Sequence, residues 1–231
     1  MIPITIVMTT YFPDQQRKEV AENTLASWQQ YLHYDSDINL HIADDGSIIP
    51  WYPENVYQRG FPKARKMNVT FSRQERHGVG ASLNAGFKEA YKTSPLVAYF
   101  VDDWALTEPF DITPWAKAIL ENENMGIIRF GPPHPFMRGS IEIVSTDWQG
   151  WALKCDRYGL VVGHRPELFH KRWTDRYDWF VEDINACEVE RIATVKWAED
   201  VGGLDIYLAL PHKWFTAHSD VVPSLSEMEP R

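Results

Sequence analysis

The stretch Leu96-Val97-Ala98-Tyr99-Phe100-Val101-Asp102-Asp103-Trp104 is an apolar run that ends in two adjacent carboxylates. An earlier run, residues 38–43, ends in the same way, in Asp44-Asp45-Gly46-Ser47. If both runs are strands of a parallel sheet, the two acidic pairs lie at its carboxyl edge. There they repel one another unless a cation or a donor-rich ligand binds. We therefore expect a nucleotide and a divalent metal ion at this edge.

The composition is that of an ordinary globular protein. Of 231 residues, 44% are hydrophobic and 24% are charged, and no apolar stretch reaches the roughly 18 to 20 residues that a bilayer span needs. No signal-peptide pattern follows Met1, and Cys155 and Cys187 are too few for a disulfide framework or a multi-cysteine zinc site. We expect a cytoplasmic protein without a membrane span. The formal net charge of -9 argues against broad attachment to nucleic acid or anionic lipid.

The first half of the chain alternates between strand and helix patterns. Strands are predicted at residues 4–9, 39–43, 68–71, 96–101 and 125–130. Helical spacing of apolar residues is found at Val20, Leu25, Trp28 and Leu32 and again at Val79, Leu83, Phe87, Ala90 and Tyr91, and Thr113-Pro114 predicts the N-cap and first residue of a third helix. Unbroken apolar strands are typical of a parallel sheet covered on both faces. The pattern predicts an α/β fold with a mostly parallel central sheet flanked by helices.

The second half is rich in Trp, His and Pro and predicts an irregular, acceptor-side region. We expect one domain over residues 1–222, with a donor half at about 1–110 and an acceptor half at about 111–222. Residues 223–231 are expected to form a loose tail. The Pro-rich stretch 131–136 predicts a loop near the mouth of the site.

The order of the motifs resembles the GT-A fold glycosyltransferases, and most closely the family 2 type nucleotide-sugar transferases. Four motifs carry the resemblance, in chain order: residues 4–11 as the opening strand, 42–47 as the second strand with its acidic turn, 75–86 as a Gly-rich, Asn-containing helix that faces the donor, and 101–104 as the metal-binding aspartate motif. It covers about half of the chain and becomes fragmentary after Phe130.

The resemblance implies a metal-dependent site at the second acidic pair. Asp103 is the expected direct ligand of Mn²⁺ or Mg²⁺, and Asp102 is expected to contact ribose or the water around the metal. A hard cation held by carboxylate oxygen would stabilise the leaving diphosphate. Trp104 stands where a strict Asp-X-Asp pattern would place a second acid, so the motif is Val101-Asp102-Asp103. His218, in the aromatic segment 214–219, is expected to complete the metal shell, with His212 a poorer candidate.

The resemblance also implies a donor pocket around the first acidic pair. Asp44 and Asp45 are expected to accept hydrogen bonds from the base and ribose. Thr9 and Tyr11 are expected to line the same pocket. Arg76, with Arg73 and His77 beside it, is expected to meet the diphosphate near the helix start. Asn84 is expected to face the donor.

A third acidic pair, in the segment Asp178-Trp179-Phe180-Val181-Glu182-Asp183, resembles the motif that supplies the general base in such transferases. Asp183, or else Glu182, would take the proton of the acceptor hydroxyl while that hydroxyl attacks the anomeric carbon with inversion. The polar face of a surface helix is the structural alternative. Residues 159–168 are expected to shape the acceptor site. Trp148, Trp151, Trp173 and Trp179 would either form a sugar platform or pack between loops and sheet.

The sequence thus predicts a metal-dependent, inverting glycosyltransferase that uses a nucleotide diphosphate sugar, with a UDP-sugar favoured. The hydroxyl acceptor stays open between protein, glycan, lipid and modified DNA base, and no oligomeric state is specified. A sugar-phosphate nucleotidyltransferase is one alternative, but its Gly-rich loop is missing from residues 9–13. A non-catalytic nucleotide- or sugar-binding protein on the same scaffold is the other.

Overall fold

The computed structural model describes residues 2–49, 51, 67–131, 138–145, 150–157, 162, 165–210 and 214–217. The helices are α1 (Gln15–Tyr31), α2 (Gly78–Ala90), α3 (Thr113–Glu121), α4 (Arg172–Tyr177) and α5 (Ala186–Glu199). The strands are β1 (Ile4–Thr10), β2 (Leu32–His33), β3 (Ile38–Asp44), β4 (Met67–Arg73), β5 (Leu96–Tyr99), β6 (Trp104–Leu106), β7 (Phe110–Asp111), β8 (Met125–Arg129), β9 (Gly139–Ser145), β10 (Gly150–Cys155), β11 (Glu167–His170), β12 (Asp205–Leu210) and β13 (Phe215–Ala217).

Strands from both halves of the chain form one nine-stranded sheet, in the order β4-β3-β1-β5-β11-β8-β12-β10-β9. The first four are parallel to one another. β11 runs antiparallel between β5 and β8, and β12 is parallel to β8. Because β3 and β5 pair with β1 on its two sides, their carboxyl ends meet at one edge of the sheet.

Helices cover both faces of this sheet, as the unbroken apolar strands predict. On one face, Leu25 and Trp28 of α1 and Trp115 of α3 pack against Ile6 and Leu40. On the other face, α2 and α5 enclose a second core, whose members include Val7, Leu83, Phe87, Val189 and Trp197. Alternate residues of β1 point to opposite faces, so this strand contributes to both cores.

The α/β fold class predicted from the sequence is confirmed, and the predicted strands and helices of the first half are present. The second half is more regular than predicted, because it adds β8 to β12 to the sheet, and its antiparallel pairs make the sheet mixed beyond β5. α3 starts one residue earlier than predicted. Ile112 is its N-cap, since the Thr113 hydroxyl accepts from the backbone N–H of Asp35 instead (3.0 Å).

Within the described part of the chain, no helix combines the length and the apolar character that crossing a membrane requires. The predicted loop at 132–136 and the predicted tail at 223–231 lie outside the described residues.

Candidate functional site

The two acidic pairs lie at the same edge of the sheet, on either side of β1. Asp44 ends β3 and lies opposite Thr10, the last residue of β1. On the other side, Tyr99 ends β5, and the backbone N–H of Phe100 donates to Val7 of β1 (3.0 Å) before the chain reaches Asp102. β3 and β5 are separated by two strand spacings, about 10 Å. The two strands that lead to the acidic pairs therefore end at the same edge of the sheet, as the sequence predicts.

A buried arginine, Arg17 of α1, binds the second acidic pair. Its guanidinium lies 2.5 Å from Asp102 Oδ1 and 3.4 Å from Asp103 Oδ2, and its side chain is 0% exposed. Burial raises the pKa of Asp102, and the charge of Arg17 opposes that rise. Burial by itself would lower the pKa of Arg17, but the two carboxylates outweigh it and leave this pKa raised. The Arg17 guanidinium thus neutralises part of the negative charge of the two carboxylates.

The ion pair with Arg17 gives Asp102 a partner inside the protein. A ribose contact requires an accessible carboxylate, whereas Asp102 is 0% exposed and Asp103 is 5% exposed. Asp102 is enclosed with Arg17, the arginine that also holds Asp103. Its predicted contact with ribose or with the water around the metal stays a prediction. Sequence reasoning missed Arg17.

The acidic pair retains oxygens that fit a hard metal ion. Asp102 Oδ2 and Asp103 Oδ1 are buried and have no hydrogen-bond partner in the described part of the chain. Carboxylate oxygens without a donor are the chemistry that Mn²⁺ or Mg²⁺ accepts. Among the described residues, no group of three or more His, Cys, Asp or Glu side chains could hold a metal ion. His212 and His218, the predicted histidine ligands, lie outside those residues.

Asp44 holds the turn that follows β3. Its carboxylate accepts from Thr10 Oγ1 (3.2 Å) and from the backbone N–H and hydroxyl of Ser47. Arg73, at the end of β4, lies 3.4 Å from Asp44 Oδ2 and donates to Ser47 O (2.7 Å). Gly46 adopts a φ of 73°, which glycine accommodates without a steric penalty. Donors of the protein itself thus hold Asp44 in this turn, and its predicted contact with the nucleotide stays a prediction.

Asp45 binds the N-terminus of α2. Its carboxylate accepts from the backbone N–H groups of His77 (2.9 Å) and Gly78 (3.0 Å) and from Gln74 Nε2 (3.2 Å). An anion at this position is stabilised by the unpaired N–H groups and the dipole of the helix. Asp45 therefore fixes α2 against the edge of the sheet.

A shallow cavity opens between the ends of β1 and β3 and the start of α2, and its empty space of about 320 Å³ includes open solvent. It is lined by Thr9, Thr10, Tyr11, Asp45, Arg76, Val79 and Ser82. The Arg76 guanidinium lies 4.1 Å from the centre of the Tyr11 ring and donates to its hydroxyl (3.0 Å). Thr9 Oγ1 lies 3.4 Å from the Tyr99 hydroxyl at the end of β5. Four of the predicted donor residues, Thr9, Tyr11, Asp45 and Arg76, thus line one cavity.

Asn84 contacts the third acidic segment rather than this cavity. Its amide group donates to Phe180 O (2.8 Å) and to Glu182 Oε1 (2.8 Å), and its oxygen accepts from the backbone N–H of Phe180 (2.9 Å). Both amide hydrogens are therefore committed, and Asn84 holds residues 180–182 against α2. Its predicted contact with the donor stays a prediction.

Asp183 and Glu182 lie in an exposed loop between α4 and α5, and not on the polar face of a surface helix. Asp183 has a φ of 60°, in the left-handed region that non-glycine residues seldom adopt. Its side chain is 71% exposed, and its Oδ1 lies 2.7 Å from His77 Nδ1. The two predicted base candidates are thus held differently, Glu182 by Asn84 and Asp183 by His77.

The loop approaches α2 so closely because residue 80 is glycine. A Cβ atom at Gly80 would lie 2.0 Å from the carbonyl oxygen of Val181. We predict that Gly80→Ala displaces this loop and lowers the free energy of unfolding by about 1–3 kcal/mol, a typical cost of overpacking. Chemical denaturation measures the change. Gly131→Ala is the control, because among the described residues its Cβ would meet nothing nearer than 3.5 Å. Equal stability of the two variants would contradict the prediction.

The tryptophans divide between packing and exposure. Trp173 is buried, which favours the packing alternative at that position. Trp151 and Trp179 are exposed, and Lys88 Nζ lies 5.1 Å from the centre of the Trp179 ring. Trp148 and half of the predicted acceptor segment 159–168, namely residues 159–161, 163 and 164, lie outside the described residues.

No protein-family model and no curated protein sequence matches the chain. Among solved structures, S. aureus TarS 1-349 superposes with a TM-score of 0.63 at 14% identity, covering 94% of this chain and 61% of that one. The same TarS fragment in complex with UDP-GlcNAc gives 0.58 at 14% identity, covering 90% and 58%. GalNAc-T7 with UDP, GalNAc and Mn²⁺ gives 0.59 at 11% identity, covering 90% and 42%.

The chain therefore spans less than two thirds of each of these proteins. At such low identities the likeness establishes the fold alone, and this fold is the GT-A fold that the motifs of the sequence predict.

Proposed function

We propose that this protein is a glycosyltransferase that moves a sugar from a nucleotide diphosphate sugar, with a UDP-sugar favoured, to a hydroxyl acceptor. The observation that carries the proposal is the arrangement at one sheet edge. Thr9 and Asp45 line one cavity at the ends of β1 and β3, and Thr9 contacts Tyr99 (3.4 Å) at the end of β5, the strand that leads to the Asp102–Asp103 pair. The acidic loop 180–183 is fastened to α2, which closes the cavity. The solved structures of the same fold that contain UDP or UDP-GlcNAc support a UDP-sugar as the first donor to test.

In this proposal the cavity binds the nucleotide. Asp45 accepts hydrogen bonds from the base or ribose, and the Tyr11 ring flanks the base. The exposed Arg76 guanidinium meets the diphosphate and neutralises part of its charge. Thr10 and Asp44 keep the wall of the cavity in place through the turn at Ser47.

The proposed metal is Mn²⁺ or Mg²⁺, held by Asp103 Oδ1 and by His218 as a second protein ligand. When bound, the ion would neutralise the charge that develops on the leaving diphosphate. Arg17 stays on the other oxygen of Asp103 and prevents that carboxylate from turning away. The Mn²⁺ in the GalNAc-T7 structure supports testing this metal first.

Asp183 is the proposed general base, with Glu182 the alternative. The acceptor hydroxyl gives its proton to the carboxylate while its oxygen bonds to the anomeric carbon. The bond from that carbon to the diphosphate oxygen breaks, and the nucleotide diphosphate leaves from the opposite face, so configuration inverts. The high exposure of Asp183 supports this role, because a bulky acceptor can reach it.

The proposal is tested with a panel of nucleotide sugars in the presence of Mn²⁺, Mg²⁺ or a chelator. Thermal shift measures binding, and release of free nucleotide diphosphate measures donor hydrolysis. We expect UDP to stabilise the protein only with metal and at least one UDP-sugar to be hydrolysed. Metal-dependent binding of UDP without hydrolysis or transfer would favour the non-catalytic alternative.

Asp103→Asn tests the proposed metal site separately from the nucleotide pocket. We expect it to weaken metal-dependent binding of UDP by at least about tenfold, because the amide is a much poorer metal ligand than the carboxylate. Asp175→Asn makes the same chemical change on an exposed carboxylate of α4 and should leave the affinity unchanged. If Asp103→Asn binds UDP and Mn²⁺ as the unmodified protein does, Asp103 is not the ligand.

A further inference from the structure

His77 contacts both the donor cavity and the proposed base. Its backbone N–H donates to Asp45 Oδ1 (2.9 Å), and Asp45 lines the cavity. Its carbonyl oxygen accepts from the backbone N–H of Asp183 (2.9 Å), and its ring Nδ1 lies 2.7 Å from Asp183 Oδ1. One residue at the start of α2 is thus bonded to an acid of the cavity and, at two points, to the base.

The direction of the ring contact follows from the chemistry of its partner. An ionised carboxylate can only accept hydrogen bonds, so Nδ1 of His77 must carry the proton and donate. This contact occupies Oδ1 of Asp183. In the described part of the chain, no hydrogen bond to Oδ2 is found, which leaves that oxygen for an acceptor hydroxyl.

Asp183 needs such a support because its backbone is in the left-handed region, with a φ of 60°. A non-glycine residue keeps this conformation only where surrounding contacts hold it. The side chain is 71% exposed, so packing contributes little to its position. The two bonds to His77 are the contacts that fix the carboxylate.

We propose that His77 is a positioning residue, which holds the Asp183 carboxylate in the orientation that general-base catalysis requires and ties it to the wall of the donor cavity. The inference rests on the proposed function, in which Asp183 takes the proton of the acceptor. In this proposal the ring of His77 acts through Asp183 and contacts neither the donor nor the acceptor.

The charge on His77 gives this arrangement a pH dependence. The hydrogen bond and charge of Asp183 raise the pKa of His77 above its ordinary value, and Asp45 and Glu75, the other charged groups that act on the ring, raise it further. The imidazolium, which makes the stronger charge-assisted bond, therefore persists to higher pH than in a free histidine. As pH rises through the pKa of His77, that bond weakens and the carboxylate is held less firmly.

The first test needs no enzymatic activity. The pKa of His77, followed by NMR of its ring nitrogens, should lie above about 6.5 and fall in Asp183→Asn. In His77→Ala, backbone ¹⁵N relaxation should show a more mobile Asp183 and an unchanged Ser47, which lies in the turn after β3. An ordinary pKa, or an Asp183 that stays equally rigid in His77→Ala, would overturn the inference even if the protein transfers sugar.

The second test uses two substitutions of the same residue. His77→Ala should lower kcat about tenfold, the loss expected for one charge-assisted hydrogen bond, with the affinity for UDP unchanged. His77→Asn places an amide N–H where Nδ1–H stands, so it should restore kcat to within about threefold and remove the decline of kcat at high pH. Equal kcat in all three proteins would overturn the inference.

These outcomes separate the inference from the proposed function. A protein that turns over no donor contradicts the proposed function, while the NMR titration still decides whether His77 holds Asp183. A protein that transfers sugar with an unperturbed His77 keeps the proposed function and loses the inference.

Discussion

Arg17→Met is expected to lower the free energy of unfolding by about 3–5 kcal/mol, the cost of leaving a buried charge without its partner. Arg17 is 0% exposed and contacts both Asp102 and Asp103, so its removal leaves two carboxylates that repel each other inside the fold. Methionine keeps the length and much of the packing of the side chain, which limits the change to the lost charge and hydrogen bonds. Urea denaturation followed by circular dichroism measures the effect.

Two further variants make this result specific. Arg191→Met removes an arginine that pairs with Glu188 on the exposed surface of α5, and exposed pairs contribute little, so its midpoint should not shift. Arg17→Met combined with Asp102→Asn and Asp103→Asn removes the repulsion as well as the cation. It should be more stable than Arg17→Met alone. If Arg17→Met alone is as stable as the unmodified protein, Arg17 does not balance the charge of the acidic pair.

The position of the two acidic pairs could be predicted from the sequence, because strand ends are local features. Apolar runs mark β3 and β5, and the parallel pairing of such strands brings their carboxyl ends to one edge. The resemblance to the GT-A transferases implies that Asp45 and Thr9 lie in one pocket, and both line the cavity beside α2. The orientation of the side chains at this edge depends on which residues of distant elements contact them. The periodicity of the sequence does not identify those residues.

The sequence indicates that Arg17 is buried, but it does not identify the partners of Arg17. The buried positions of α1 include Arg17, Val20, Ala21, Leu25 and Trp28, which recur at the spacing of a single helix face. A charged residue on such an apolar stripe must meet an opposite charge inside the fold. The sequence therefore indicates a buried partner for Arg17, but the choice of Asp102 and Asp103, more than eighty residues away, follows only from the three-dimensional packing.

The contacts of Asn84 also depend on the three-dimensional packing. It lies on the buried stripe of α2 beside Leu83 and Phe87, so its amide has to find partners within the protein. The motif at residues 75–86, in which Asn84 lies, predicts the nucleotide-sugar donor as that partner. The loop at 180–182 takes this place instead, because Gly80 lets the loop approach the helix.

Asp183→Asn is expected to lower kcat by about a hundredfold to ten-thousandfold, the usual contribution of a general base. The amide cannot take the proton of the acceptor hydroxyl, although it has nearly the same shape as the carboxylate. Binding of UDP with metal should be unchanged, because the cavity is lined by residues of β1, the turn after β3 and the start of α2. Single-turnover transfer and thermal shift with UDP measure the two quantities separately.

Glu182→Gln is the matched control, since it removes the neighbouring carboxylate with the same chemical change. Glu182 accepts from Asn84 through Oε1 (2.8 Å), and the carbonyl oxygen of glutamine can accept the same bond, so the loop should keep its place. We expect only a modest change in kcat. The reverse pattern, with Glu182→Gln inactive and Asp183→Asn active, would make Glu182 the base.

The contacts of the two acids explain why Asp183 should be the more effective base. Glu182 is held through Oε1 by the buried amide of Asn84, which directs this carboxylate toward α2. Asp183 also accepts one hydrogen bond, from His77, but its other oxygen faces solvent from an exposed and backbone-restrained position. A base that must meet a bulky hydroxyl acceptor needs both a fixed orientation and an open side. Asp183 combines the two, and the comparison with Glu182→Gln tests whether that combination governs the rate.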